Sequence, residues 1–317
     1  MEQRRLGSSS LLIPPLVFGG NVFGWSADEA TSFRLLDRLA EAGLTAIDTA
    51  DVYSRWVPGH QGGESEAIIG RWLHKRGRRD DVVIMTKVGM EMPGRGKGLS
   101  PDWIRRSVEE SLKRLQTDYI DLYQAHQDDP ATPLPETLGA FAELIRAGKV
   151  RAIGASNYSA ERLDEALAAS DANALPRYVS LQPHYNLVER PLYEDALEAV
   201  CLRHRLGVIP YYSLASGFLS GKYRSEADLG KSAARGRAVA KYLAGKGPNV
   251  LAALDTVAAA TAATPAQVAL AWLMARPGIT APIASASKPE QLDDLVKAAT
   301  LTLSAAQIAE LDKASGG

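Results

Sequence analysis

The sequence predicts an α/β protein folded as a (β/α)8 barrel of the TIM-barrel type. Eight short apolar segments alternate with helix-like segments, and within the apolar segments polar residues do not occupy every second position. Strands covered on both faces have this continuous apolar pattern, and eight consecutive strand–helix units favour a closed parallel barrel over an open sheet. No linker-like stretch interrupts the series, so we expect one domain covering 1–317.

The strand predictions rest on length and apolar content. In chain order the predicted strands span residues 15–19, 44–48, 82–86, 119–123, 150–153, 178–182, 207–210 and 279–283.

The helix predictions rest on apolar residues three or four positions apart, as with Phe33, Leu36 and Ala40 in the first helix. Gly43 and Gly148 end two of these patterns, while Ser100 as N-cap and Pro101 in the first turn begin another. In chain order the predicted helices span residues 27–42, 64–75, 134–147, 159–169, 192–204, 249–263, 265–275, 289–298 and 304–313. A further helix, between the second and third of these, is predicted to begin at 101.

Two connections, 89–99 and 222–248, are long for a compact domain. Long connections are usually lids or binding loops.

The composition argues against several classes of partner. The formal net charge is −1 and the basic residues are scattered, so we expect no nucleic acid and no anionic membrane as a partner. The sequence contains no run of about 18 apolar residues, so it predicts no membrane span. The single cysteine, Cys201, excludes an internal disulfide, and the first residues lack the apolar core of a signal peptide. We therefore expect a cytoplasmic protein.

Ionisable residues close three successive predicted strands. Asp48, Lys87 and His126 end the second, third and fourth strands, and Tyr53 lies just beyond the second. Neighbouring strands run about 5 Å apart, and the active sites of such barrels lie at the carboxyl ends of the strands. These four side chains are therefore predicted to converge in a catalytic site, while Asp51 gains no role.

This group of residues suits proton donation to a carbonyl oxygen. The ammonium of Lys87 would lower the pKa of Tyr53, Asp48 would pair with Lys87, and His126 would orient the carbonyl oxygen. Each residue alone has an ordinary structural explanation: Asp48 could cap a turn, Tyr53 could be a surface aromatic, and His126 could be a core histidine. Their joint occurrence favours the functional interpretation. An aldolase that uses Lys87 as a Schiff-base nucleophile is an alternative.

The chain resembles an aldo-keto reductase over nearly its whole length. Residues 48–53, DTADVY, match the signature that carries the family's acid and tyrosine. Further matching segments are 5–7, 18–24, 63–66, 86–87, 121–126, 154–157, 181–187 and 216–223. The resemblance implies that Tyr53 is the general acid, that Lys87 and Asp48 tune it, and that His126 aligns the carbonyl.

The resemblance also implies a nicotinamide cofactor, NADP(H) in preference to NAD(H), bound without a Rossmann unit. Tyr211 would stack on the nicotinamide, and the loop 213–220 with Lys222 would surround the pyrophosphate. The other implied cofactor-binding residues are Gly20, Asn21, Asp48, Ser156, Asn157, Gln182, Ser213, Leu214, Ser216, Ser220, Arg235, Ser287 and Gln291. Gln291 stands where some relatives carry an arginine for the 2′-phosphate, so Ser287, Lys288 and the helix N-terminus are left to bind it.

Four apolar residues in the strand-end loops, Trp25, Trp56, Met90 and Phe218, are candidates for a substrate wall. The expected partner is a small carbonyl compound, and no metal site is expected. An alternative hypothesis for the function is a cofactor-binding regulatory subunit, similar to the potassium-channel β subunits that share this scaffold.

Overall fold

The computed structural model describes residues 1–231 and 236–316. Its strands are β1 (Arg4–Arg5), β2 (Leu12–Ile13), β3 (Val17–Gly19), β4 (Ala46–Asp48), β5 (Val83–Val88), β6 (Ile120–Ala125), β7 (Val150–Ser156), β8 (Ser180–Gln182), β9 (Gly207–Val208) and β10 (Ile283–Ala284).

Eight of these strands form one parallel sheet in the order β10-β3-β4-β5-β6-β7-β8-β9. The two ends of the sheet meet through a parallel bridge between Val208 and Ile279. Two hydrogen bonds reinforce this seam: Thr280 N donates to Val208 O, and Ile283 N donates to Pro210 O, both at 2.8 Å. The predicted (β/α)8 barrel is confirmed.

The helices are α1 (Glu29–Ala42), α2 (Glu64–Arg76), α3 (Pro101–Leu115), α4 (Leu134–Arg146), α5 (Ala160–Ala172), α6 (Pro191–Glu194), α7 (Leu197–His204), α8 (Gly236–Val239), α9 (Gly247–Thr261), α10 (Pro265–Met274), α11 (Pro289–Ala298) and α12 (Ala305–Ser315). The predicted capping is found at α3, where Ser100 Oγ accepts from Trp103 N at 3.4 Å, and at α1, which ends at Gly43 in the left-handed region. These caps satisfy backbone groups that a helix leaves unpaired at its ends.

Two predicted elements differ most from the structure, and the strand predicted for 207–210 is regular only over Gly207–Val208. The helix predicted for 192–204 is two helices, α6 and α7, because the backbone leaves the helical region at Ala196 with φ of −133°. The strand predicted for 279–283 is regular only as β10, Ile283–Ala284, although Ile279 still bridges to β9. The preceding proline, Pro282, has no amide hydrogen to donate to a neighbouring strand.

A hairpin that sequence reasoning missed closes the amino-terminal end of the barrel. β1 and β2 pair antiparallel, and Leu6, Leu11 and Ile13 pack with apolar side chains of the barrel strands such as Met85 and Leu122. Because the hairpin covers the amino-terminal end, the carboxyl end of the barrel is left for the functional site.

The connection 222–248 has structure of its own, with 3-10 turns at Glu226–Lys231 and Ala240–Tyr242 on either side of α8. Within the described ranges no single helix is long and apolar enough to cross a membrane; α9 and α10 reach that length only together, across a bend of 93°.

Candidate active site

The strand ends bring the four predicted catalytic side chains together. Asp48 is the last residue of β4, Lys87 lies near the end of β5, and His126 directly follows β6. Tyr53 is placed by a turn after β4 in which its amide donates to Ala50 O at 3.2 Å. Pairing of β4 with β5 and of β5 with β6 fixes the order of these residues around the rim.

The ammonium of Lys87 is completely buried and has three acceptors. Its Nζ donates to Asp48 Oδ2 at 2.6 Å, to Thr49 O at 2.8 Å and to Tyr53 OH at 3.0 Å. An ammonium has three hydrogens, and each has a partner here. A Schiff-base nucleophile must be an accessible free amine, so this geometry argues against the aldolase reading.

The second oxygen of Asp48 is held by two amides that were not predicted to hold it. Gln182 Nε2 donates to Asp48 Oδ1 at 2.9 Å and Gln124 Nε2 donates at 3.2 Å. Gln124 Oε1 accepts from Gln182 Nε2 at 3.2 Å. The missed residue is Gln124, and its signal in the sequence is a glutamine near the end of an otherwise apolar strand.

The pKa of Tyr53 moves in the opposite direction from the prediction. Burial raises it well above the usual value of a phenol, and the nearby carboxylate of Asp48 raises it further. The predicted net lowering is therefore wrong for this site, because desolvation of the phenolate and the charge of Asp48 set the direction of the shift. Tyr53 holds its proton at neutral pH; its oxygen accepts from Lys87 Nζ, and its hydroxyl makes a long hydrogen bond of 3.5 Å to Asp48 Oδ2.

His126 lies beside Tyr53, with the two ring centroids 6.0 Å apart in an edge arrangement. Burial lowers the pKa of His126 well below its usual value, and the charges of Lys87 and Arg55 lower it further. The ring is therefore neutral, and Nδ1 is buried without a hydrogen-bond partner among the described residues. Only one ring nitrogen of a neutral imidazole carries a hydrogen to donate.

These side chains border a cavity of about 680 Å³ at the carboxyl end of the barrel. Cavities of this size are typical of small-molecule sites. One part of the lining comes from the loops after three neighbouring strands, β4, β5 and β6. It includes Tyr53, Trp56, Met90 and His126.

The other half of the lining comes from β7 onward and from the loop that follows β3. It includes Asn21, Ser156, Asn157, Gln182, Tyr211, Tyr212, Ser213, Leu214, Ser216 and Ser285.

The wall formed by Tyr211 and Asn157 suits a flat heteroaromatic ring with an amide. Tyr211 is braced on one face by His184, with the rings stacked at 5.4 Å, and its hydroxyl donates to Asn157 Oδ1 at 2.7 Å. Asn157 Nδ2 donates to His126 O at 2.8 Å. Ser156 Oγ, which donates to Gln182 O at 2.9 Å, retains acceptor capacity. A braced aromatic ring beside polar side chains fits a nicotinamide, which could be held here.

Other residues predicted to bind the cofactor lie outside the cavity lining. Gly20 is buried and its carbonyl accepts from Ser65 Oγ. Ser220 Oγ donates to Gly217 O at 2.7 Å, and Lys222 is exposed beside the ring of Tyr223.

At the far end, Ser287 Oγ is 2.7 Å from Ser26 Oγ, and Ser287 N donates to Gln291 Oε1 at 2.9 Å. These residues lie at the start of α11. The side chain of its N-cap residue, Lys288, makes no capping hydrogen bond. Arg235 lies outside the described residues.

The substrate wall is only partly as predicted. Trp25, Trp56 and Met90 line the cavity, and Trp56 contacts both Trp25 and Tyr53, with centroid separations of 5.6 Å and 6.0 Å. Phe218 instead lies fully buried in the core against Tyr242. Its placement in the wall was wrong: the chain turns through left-handed conformations at Ser216 and Gly217, and the next side chain packs inward.

Comparison with known proteins gives a consistent match along the chain. The model of the aldo/keto reductase family matches residues 15–315. The uncharacterized oxidoreductase YrpG of Bacillus subtilis is 37% identical over 310 residues, which cover 96% of this chain and 92% of that protein. The aldo-keto reductase YhdN of the same organism is 33% identical, covering 96% and 87%. The aldo-keto reductase yakc [NADP(+)] of Schizosaccharomyces pombe is 31% identical, covering 98% and 90%.

Proposed function

The chain belongs to the aldo/keto reductase family of oxidoreductases, and from that premise we propose that it reduces an aldehyde or ketone to an alcohol with NADPH. In this proposal Tyr53 is the general acid. The observation that carries it is the contact between Lys87 Nζ and Tyr53 OH at 3.0 Å, made while Lys87 is paired with Asp48 at 2.6 Å.

The raised pKa of Tyr53 supports its role as an acid in the reductive direction. A phenol that keeps its proton at neutral pH can give it to a carbonyl oxygen. As the proton leaves, negative charge develops on the Tyr53 oxygen, and Lys87 already donates a hydrogen bond to that atom. The stabilisation by Lys87 therefore grows along the reaction, which is the requirement for catalysis.

His126 suits the positioning of the carbonyl. Its neutral ring lines the cavity next to Tyr53 and donates to no described residue. The ring can therefore donate to the substrate oxygen without competing with Tyr53 for the role of acid, because burial keeps the ring from taking up a proton of its own.

The cofactor would supply the hydride to the carbonyl carbon. Tyr211, Asn157, Ser156 and Gln182 would hold its nicotinamide end, and the loop 213–217 would follow its backbone. A preference for NADPH is supported by Ser287 and the N-cap residue Lys288, which directly precede α11, since helix N-termini with a nearby cation suit a phosphate.

Tyr53→Phe tests this proposal. With a panel of neutral aldehydes and ketones and with NADPH or NADH supplied in parallel, we expect the wild-type chain to turn over part of the panel with a higher kcat/KM for NADPH. Loss of the acid should lower kcat by roughly 10²–10⁴-fold, while NADPH still quenches the protein's tryptophan fluorescence with an unchanged Kd.

Tyr119→Phe is the matched control, because this ring packs under the guanidinium of Arg79 at 4.2 Å and not in the cavity. Full turnover by Tyr53→Phe would overturn the assignment of the acid. A wild-type chain that reduces nothing in the panel would overturn the reductase proposal.

A further inference from the structure

Arg55 is an ionisable side chain in the cavity that the proposed reaction does not use. It lies two residues after Tyr53 and lines the same cavity, on the side formed by the loops after β4, β5 and β6. Its backbone is fixed: Arg55 N donates to Val52 O at 3.3 Å, and the buried hydroxyl of the preceding Ser54 donates to Phe23 O at 2.7 Å. The side chain therefore leaves a rigid turn beside the acid.

The guanidinium of Arg55 has no anionic partner within the described ranges. Its one hydrogen bond goes to the backbone carbonyl of Glu91, and no carboxylate lies within 4.0 Å of it in the part of the chain that the structure describes. Arg95, in the loop after β5, pairs instead with Glu110 at 3.3 Å. An arginine presents five N–H donors in a planar fork, so most of the donors of Arg55 are available to a ligand.

Among the described residues that line the cavity, Arg55 is a cation without an anionic partner. The carboxylate of Asp48, which also borders the cavity, is occupied by Lys87, Gln124 and Gln182. His126 is neutral, and Arg55 is one of the charges that keep it so. The field of the guanidinium therefore reaches the space beside His126 where a substrate carbonyl would lie.

The position of Arg55 separates it from the residues that suit the cofactor. The residues proposed to hold the nicotinamide end and the 2′-phosphate follow β7, β8, β9 and β10, whereas Arg55 follows β4 next to Trp56. A ligand group that pairs with Arg55 would lie on the substrate side of the cavity.

We propose that the natural substrate is a carbonyl compound bearing a carboxylate or phosphate, and that Arg55 selects it by pairing with that anionic group. The proposal rests on the proposed reductase function. Guanidinium groups bind carboxylates and phosphates through two parallel hydrogen bonds, which fixes orientation as well as charge. With its anion on Arg55 and its carbonyl near Tyr53 and His126, the substrate would be held at two points.

The test compares kcat/KM for matched pairs of aldehydes in the intact chain with NADPH. One pair is 4-carboxybenzaldehyde and its methyl ester, and the other is glyceraldehyde 3-phosphate and glyceraldehyde. We expect the wild-type chain to favour the anionic member of at least one pair, and the preferred pair distinguishes carboxylate from phosphate. Arg55→Gln should reduce that preference by about 10- to 100-fold, the usual effect of one charged hydrogen-bonded contact, mainly through KM.

Arg95→Gln is the control, because it removes a neighbouring arginine that has its own carboxylate partner outside the cavity; the preference should stay at the wild-type value. Arg55→Lys should restore part of the preference, since it returns the charge without the fork. No anionic preference in the wild-type chain, or equal losses for both members of a pair in Arg55→Gln, would overturn the proposal while leaving the reductase function intact. A wild-type chain that reduces neither member would overturn the function itself.

Discussion

Asp48 and Asp51 lie three residues apart at the end of the same strand, and their exposed fractions are 1% and 2%. The carboxylate of Asp48 accepts hydrogen bonds from Lys87, Gln124 and Gln182. Both oxygens of Asp51 are buried without a hydrogen-bond partner among the described residues.

The two environments differ because different elements surround them. Asp48 faces the barrel interior, where β5, β6 and β8 each supply a donor. Asp51 lies near α2 and α3, where Glu66 already occupies the available donors: Thr86 Oγ1 at 2.6 Å and Arg114 Nε at 2.7 Å. Burial, followed by the charge of Glu66, raises the pKa of Asp51 well above its usual value. A buried carboxyl group needs donors in place of water; Asp48 has them and Asp51 does not, and this is the difference between the two residues.

The largest effect should come from breaking the pair at Asp48. Lys87→Met leaves the Asp48 carboxylate buried without its cation, which costs about 3–5 kcal/mol in buried ion pairs, and it removes the donor to Tyr53. We expect a lower urea midpoint and a loss of kcat comparable to that of Tyr53→Phe. The measurements are equilibrium urea unfolding and steady-state turnover of a neutral aldehyde with NADPH.

Asp48→Asn combined with Lys87→Met separates the two consequences. With both charges gone, most of the lost stability should return, while turnover should stay low. If the double variant is as unstable as Lys87→Met, the cost lies in packing and not in the unpaired charge.

A smaller effect should distinguish the two amides that hold Asp48 Oδ1. Gln182→Leu and Gln124→Leu each remove one donor from a buried carboxylate, so each should lower the free energy of unfolding by about 1–3 kcal/mol. Only Gln182 lines the cavity. We therefore expect Gln182→Leu alone to weaken NADPH binding, measured by fluorescence titration. Equal weakening by Gln124→Leu would mean that Asp48 geometry, and not contact with the cofactor, is what both amides support.

The sequence predicted the barrel and the meeting of Asp48, Tyr53, Lys87 and His126 because strand ends are local properties of the chain, and because successive β/α units place consecutive strands side by side. It could not predict the direction of the Tyr53 pKa shift, since desolvation depends on how much protein surrounds the phenol after folding. The inward packing of Phe218 could not be predicted either, because it follows from the left-handed backbone conformations of Ser216 and Gly217.

Arg55 and Gln124 were missed although both are visible in the sequence. Arg55 becomes significant only when the other described charges at the cavity are compared with it, because Asp48 has partners and His126 is neutral. Gln124 could have been found, because a buried strand rarely contains a glutamine that lacks a specific partner.

The smallest effect on turnover, and the test that bears most directly on the comparison, should come from Asp51→Asn. The pKa of Asp51 is raised in the folded chain, so below the unfolded value of about 3.8 both states are protonated and the group adds no pH dependence. Above that pH the unfolded chain ionises while the folded chain keeps its proton. The stability contributed by the folded acid is therefore lost progressively as the pH rises towards the folded pKa, by at most about 1.4 kcal/mol per pH unit.

An asparagine cannot ionise, so the Tm of Asp51→Asn relative to the wild-type chain should rise between pH 5 and pH 8, with turnover preserved. The charged and titratable neighbours of Asp51 are Glu66, Arg114, Lys87 and Tyr123, and none of them is altered in this variant. Asp80→Asn, at a side chain that is 82% exposed, should show no such trend. A Tm difference that is constant or falls with pH would mean that Asp51 is ionised in the folded chain and that the contrast with Asp48 is one of hydrogen bonding alone.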